Sequence, residues 1–249
     1  MTAIKTLFYE IAKRDILFKN PFNSVDERLK KKFRLSIDGA KMQNNYLTKK
    51  EITALLDWLK QKTEKEKINI KKIKYAENYA LIYMLVTSGM RAFELLQLRW
   101  EDIEFFDEKL VAKFIGKGDK MANQELYEPA VKATEKYFEL QFGRKPKSNE
   151  FLFYNIYTSQ KMKYPALRMR LQKVGEMAYD EGILKRSIKL NQHVFRRTFA
   201  TLLYKSGMQI KAIQNVTRHA RIETLMEHYV IDNEKSSPYF QKIFAKVTK

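Results

Sequence analysis

His193-Val194-Phe195-Arg196-Arg197-Thr198-Phe199-Ala200-Thr201 is the stretch from which the rest of the chain is read. His193 and Arg196 stand three residues apart, so in a helix they share a face. Asn191, just before them, is an N-cap residue type that would place both in the first turns. The three histidines of the chain, His193, His219 and His228, fall within 36 positions near its end, and His228 precedes Tyr229. Histidine changes charge most readily near neutral pH. Its whole supply, gathered around an arginine pair and a tyrosine, suggests one site for proton transfer beside an anion.

The charge balance agrees. Forty-eight Lys and Arg stand against 29 Asp and Glu in 249 residues, a formal net charge of +19, which points to a polyanionic partner because these cations displace phosphate counterions. Distribution says more than the sum. From Ile183 to Arg221 there are nine basic residues and no acid, and from Lys161 to Gly175 five and none. A merely solvated surface mixes its signs, so these stretches read as an electrostatic footprint. They supply Lys161, Lys163, Arg168, Arg170, Arg197, Arg218 and Arg221 as candidate DNA contacts. Cysteine is absent, which excludes disulfides and thiolate metal sites. No apolar run approaches the ~20 residues of a membrane span, and the start Met1-Thr2-Ala3-Ile4-Lys5 lacks a signal-peptide core. No membrane partner and a cytoplasmic, DNA-associated location are the expectation.

Residues 6–18 carry Leu7, Phe8, Ile11, Ala12 and Ile16 at helical spacing, and Asn20-Pro21 stops that helix. Residues 22–45 form a basic, weakly periodic linker. Thr48-Lys49-Lys50-Glu51 is a capping box leading into Ile52, Leu55, Leu56 and Leu59, so the main domain starts near Tyr46. Residues 61–74 are charged and read as loop or frayed helix. Ala76 to Leu85 is a strongly apolar helix ended by Thr87-Ser88-Gly89, and a short helix through Leu95 and Leu98 follows. Residues 102–106, 110–115 and 124–128 then read as short strands joined at Asp107-Glu108-Lys109 and Gly116-Lys117-Gly118-Asp119-Lys120. From Ala130 helical patterns dominate, with breaks near 143–147, Gly182 and Gly207. The expected fold class is mainly α (α+β), a helical body with a small three-stranded antiparallel sheet.

In chain order, the chemistry-bearing pieces are Thr87-Ser88-Gly89-Met90-Arg91-Ala92-Phe93-Glu94-Leu95, then Gly116-Lys117-Gly118, then His193-Val194-Phe195-Arg196, then His219, then Tyr229. This order resembles the tyrosine recombinase (phage-type integrase) family from about Tyr46 to Tyr239. Each piece alone is weak, since His-x-x-Arg is common in basic chains; together and in order they are a strong signal. Two positions depart from the family pattern. Arg197 stands where a histidine is usual, and Arg218 where a glycine is usual. The resemblance divides the chain into residues 1–22, a remnant of a core-binding helical domain, a basic linker over 23–45, and a catalytic domain over 46–249 with a C-terminal docking helix.

The chemistry suits these residue types. Breaking a DNA phosphodiester requires a nucleophile, neutralisation of the non-bridging oxygens and a proton for the departing 5′-oxygen. A tyrosine hydroxyl attacks once deprotonated. Two guanidiniums, Arg91 and Arg196, clamp phosphate through paired N–H bonds that strengthen as charge builds, so neither a metal nor another cofactor is expected. The resemblance implies Tyr229 as nucleophile, Lys117 as general acid, His193 assisting proton transfer, His219 bonding a phosphate oxygen and Glu94 orienting the basic side chains. Lys120 is an alternative general acid, and Tyr239 is the nearest competitor for nucleophile. The resemblance also implies a site-specific recombinase that cleaves and rejoins double-stranded DNA through a 3′-phosphotyrosyl link, without ATP, as a homotetramer on paired sites. The alternatives are a type IB topoisomerase-like enzyme, a DNA-binding regulator with an inert Tyr229, and a metal enzyme ligated by His193, His219 and His228.

Overall fold

Thr48 and Glu51 close the expected capping box. The Thr48 hydroxyl accepts the Glu51 N–H at 3.2 Å, and the Glu51 carboxylate accepts the Thr48 N–H at 2.7 Å. They open helix α1, Lys49–Lys65, in the computed structural model, which describes residues 45–116 and 120–218. The chain divides into two units, 1–44 and 45–249, and described residues occur only in the second. The helix expected over 6–18, nearly all of the basic linker, and the C-terminal docking helix lie outside the described residues.

After α1 come α2 (Asn69–Ser88), α3 (Ala92–Gln97), a 3-10 turn at Trp100–Asp102, and strands β1 (Ile103–Phe106), β2 (Lys109–Ile115) and β3 (Met121–Leu126). Helices α4 (Glu128–Phe142), α5 (Tyr164–Asp180), α6 (Gln192–Lys205) and α7 (Ile210–Thr217) complete the described part. Helix α2 is the axis of this body. Leu81, Ile82, Met84 and Leu85 have no exposure at all. The second half of α2 is apolar all round and has to be enclosed, and α2 is packed by α1, α4, α5, α6 and β3.

The sheet is antiparallel in the order β1-β2-β3. Phe106 pairs with Lys109, leaving a two-residue turn in which Asp107 and Glu108 have φ of 47° and 59°. Positive φ at both positions is the turn whose twist matches paired strands. Strand β3 starts at Met121, earlier than the expected 124, because Met121 pairs with Ile115 and the Gly116 N–H donates to the Lys120 carbonyl at 2.8 Å.

Two further expectations are corrected. Residues 61–74 are helical except at 66–68. Thr63 and Ile73 turn inward from this charged stretch, and the indole of Trp58 and the ammonium of Lys62 fasten α1 to Glu181, just past α5, at 2.9 and 2.8 Å. Between α4 and α5, expected to be largely helical, residues 143–163 contain no helix. There the Asn155 side-chain oxygen accepts the N–H groups of Tyr157 and Thr158 at 2.9 and 3.3 Å, a local turn that competes with helix.

Glu77 on α2 is fully buried, 2.9 Å from the guanidinium of Arg170 on α5. Burial, opposed by Arg170 and Lys74, pushes its pKa up from 4.5 to about 7. A carboxyl raised in the folded state takes up a proton on folding, so its contribution is full below pH 4.5 and is lost as pH rises through 7. Glu77→Gln should therefore flatten the stability profile between pH 5 and 8, by up to about 3 kcal/mol. Urea denaturation at both ends of that window reads it; parallel profiles for parent and variant would contradict the assignment.

Candidate active site

Helix α2 ends at Gly89, whose φ of 60° is left-handed and whose missing side chain matters. A Cβ there would lie 2.2 Å from the ring of Phe199 on α6, closer than any real contact, so glycine lets α6 press onto the end of α2. The Gly89 carbonyl then accepts Nη1 of Arg196 at 2.6 Å, and Nη2 of Arg196 donates to the carbonyl of Thr217 at the end of α7. Arg196 is only 5% exposed. It is the floor of the site, held by carbonyls from two other segments.

Arg91 lies two residues beyond Gly89, at the N-cap of α3. Its Nη1 meets Glu94 at 2.7 Å, its backbone N–H donates to Glu94 at 2.9 Å, and its Nη2 donates to the Arg218 carbonyl at 3.0 Å. Glu94 is buried and also accepts Nη2 of Arg218 at 2.6 Å. Burial alone would raise the Glu94 pKa, but the Arg91 N–H and the two guanidiniums outweigh it and hold the carboxyl below its ordinary value. Glu94 thus stays ionised and fixes two arginines at once.

His193 occupies the first turn of α6 and Asn191 caps it, accepting the N–H groups of His193 and Val194 at 2.9 and 3.2 Å. The residue as a whole is exposed. Partial desolvation of its ring, then the charges of Arg196 and Arg197, lower its pKa from the ordinary 6.5, so it is neutral at pH 7 and ready to accept a proton. The neighbouring Gln192 amide donates to the Tyr164 hydroxyl at 2.7 Å, which sets the start of α5 beside the start of α6.

The basic candidates separate by environment. Lys163 and Arg168, at the start of α5, are exposed. Lys161 bonds Gln97 and lies 4.4 Å from the Phe151 ring centre; Arg197 is half-buried and reaches the Asn45 carbonyl at 3.4 Å. Arg170 and Arg218 are the more enclosed members of the expected DNA-contacting set. Their side chains are 12% and 18% exposed and are engaged by the buried carboxylates Glu77 and Glu94. Lys120 is exposed where the β2–β3 loop rejoins β3. Lys117, His219, Arg221 and Tyr229 lie outside the described residues.

Gln124 and Phe114 were not anticipated. Gln124 on β3 accepts Nη1 of Arg218, and the Arg218 guanidinium lies 5.0 Å from the Phe114 ring centre. The sheet is thereby attached to the Arg91–Glu94 cluster. The available signal was a glutamine in an inward strand position, two residues before the buried Leu126.

Two arginines from distant segments are gathered at the end of a buried helix, with a histidine one helical turn from the second. The chain belongs to the phage integrase family, whose model matches residues 45–236. The tyrosine recombinase XerC of Pediococcus pentosaceus is 24% identical over 256 residues, spanning 100% of this chain and 75% of the relative. A tyrosine recombinase of Pseudothermotoga lettingae is 30% identical over 164 residues, 66% of this chain and 53% of the relative. Among solved structures, the XerH site-specific recombinase bound to palindromic difH substrate, in a post-cleavage complex, has a TM-score of 0.58 at 23% identity. The match covers 74% of this chain and 48% of that one, so the chain spans about half the XerH length. The Tn1549 transposon integrase in complex with transposon right end DNA has a TM-score of 0.61 at 19% identity, covering 98% of this chain and 76% of that one. At these identities the solved structures establish the fold. Among the described residues, no helix is long and apolar enough to cross a membrane.

Proposed function

We propose that this chain cleaves and rejoins double-stranded DNA at defined sites through a 3′-phosphotyrosyl intermediate. The observation that carries the reading is the arginine cluster: Arg196 anchored on Gly89, and Arg91 anchored on Glu94 and Arg218, bring two motif arginines from distant parts of the chain to one end of α2. In this reading both guanidiniums neutralise the phosphate as charge builds, neutral His193 assists proton transfer, His219 bonds a phosphate oxygen and Tyr229 attacks. The exposed Lys163 and Arg168 contact the DNA backbone beside the site. The DNA bound by the XerH and Tn1549 relatives is consistent with this substrate. The test is a nicked suicide duplex, from which the cleaved strand diffuses away. A covalent 3′-linked adduct is expected, and none at any sequence would overturn the reading. Dependence of the adduct on target sequence separates recombinase from topoisomerase chemistry.

Lys117 is the proposed general acid, with Lys120 as the alternative. A 5′-bridging phosphorothioate leaves as a thiolate and needs no proton. It should rescue cleavage by Lys117→Ala, and rescue of Lys120→Ala alone would transfer the role.

The proposed working assembly is a homotetramer on paired DNA sites. Tyr239, Phe240, Ile243 and Phe244 recur in the sequence at the spacing of one helix face, an apolar pattern that suits docking on another surface. Truncation after Ser237 should leave single-site DNA binding largely intact while reducing DNA-bound oligomers and strand exchange. Sedimentation with a recombination assay reads this, and unchanged assembly and exchange would mean that the segment packs only on its own subunit.

A further inference from the structure

A cavity of about 420 Å³ opens between the first half of α2, the Asn155–Tyr157 turn and α5. Lys74 on its wall is fifteen residues before Gly89, about 22 Å along the helix axis, so the cavity is separate from the arginine cluster. Four cations line it, Lys71, Lys74, Arg170 and Lys173, and no acidic side chain does. The first turn of α2 itself carries no acid, and the Glu66 carboxylate just before it accepts the Ile68 N–H at 3.0 Å.

Two side chains of the wall, Asn78 and Arg170, each hold one buried polar atom without a partner. The side-chain oxygen of Asn78, a residue 4% exposed, is buried without a hydrogen bond, and so is Nη1 of Arg170, whose Nη2 faces Glu77. Native proteins leave few such groups unsatisfied, because each forfeits its bonds to water. Tyr75 and Tyr157 also line the cavity. Tyr157 is 69% exposed yet held in place, its N–H on Asn155 and its ring 5.8 Å from the Arg170 guanidinium.

We propose that this cavity binds one nucleoside monophosphate unit. Its phosphate lies among Lys71, Lys74 and Lys173, and its base lies on the tyrosine rings, beside Asn78 and Arg170. Cations for phosphate with aromatic faces for a base are how single nucleotides are held without a sequence requirement. The unit is either a free nucleotide or one nucleotide of a single strand flanking bound duplex. The proposal needs no strand cleavage and stands apart from the transesterification reading.

The experiment uses the full chain with two probes: dAMP by titration calorimetry, and a duplex bearing a single-stranded tail with 2-aminopurine by fluorescence. Saturable binding of at least one probe is expected, weakened about tenfold or more by Tyr157→Ser and by Lys74→Gln. Blunt-duplex affinity and the urea midpoint of Tyr157→Ser should be unchanged. Saturation by dAMP identifies a free nucleotide; saturation by the tailed duplex alone identifies a strand; either supports the site. No saturable response to either probe, a response that both variants leave intact, or equal competition by inorganic phosphate would overturn it.

Discussion

Tyr229→Phe should bind target DNA as the parent does and form no covalent adduct. The substitution keeps the aromatic ring and deletes only the oxygen that would bond phosphorus. A tyrosine hydroxyl with a pKa near 10 attacks only after losing its proton, so the surrounding bases have nothing to activate once it is gone. The loss should be complete on a suicide substrate, whereas most other single changes would only slow the step. Tyr239→Phe is the control, ten residues on and beside Pro238; it should leave adducts in place. Adducts that survive Tyr229→Phe and vanish in Tyr239→Phe would move the nucleophile.

How much of this was legible in the sequence depends on how far apart the partners lie. The Thr48–Glu51 box, the apolar helix ending at Gly89 and the Asn191 cap were readable because each involves residues within a few positions. So was the pairing of Arg91 with Glu94, three residues apart. The bridge from Glu94 to Arg218 and on to Gln124 joins residues 94, 124 and 218, and no local pattern announces a contact across such separations. For the same reason Arg170 and Arg218 read as surface cations: both lie in acid-free stretches, and their carboxylate partners come from α2 and α3. The charged end of α1 misled in the opposite way. Its inward positions are few, and its attachment to Glu181 comes from beyond α5.

The two motif arginines should respond differently to lysine, although both keep their charge. Lysine replaces a planar fork of five donors with one ammonium, so it cannot bridge two phosphate oxygens in the same way. Losing one such donor from a charge-stabilising site costs about 10²–10³-fold in rate, and single-turnover cleavage by Arg91→Lys and by Arg196→Lys should fall by at least that much. Stability should separate them. Arg91 is about one-third exposed, so its lysine variant keeps water in place of the lost Arg218 contact and should unfold near the parental midpoint. Arg196 is buried between the carbonyls of Gly89 and Thr217. A single ammonium cannot span both, and a buried carbonyl left without a donor costs about 1–3 kcal/mol. Arg196→Lys should therefore lose cleavage and stability together, with loosening at the junction of α2, α6 and α7, while Arg91→Lys loses cleavage alone. Urea denaturation beside the cleavage assay distinguishes the two. Parental cleavage rates in both variants would mean that the phosphate is held elsewhere; equal destabilisation would mean that Arg91 supports the fold as strongly as Arg196 does.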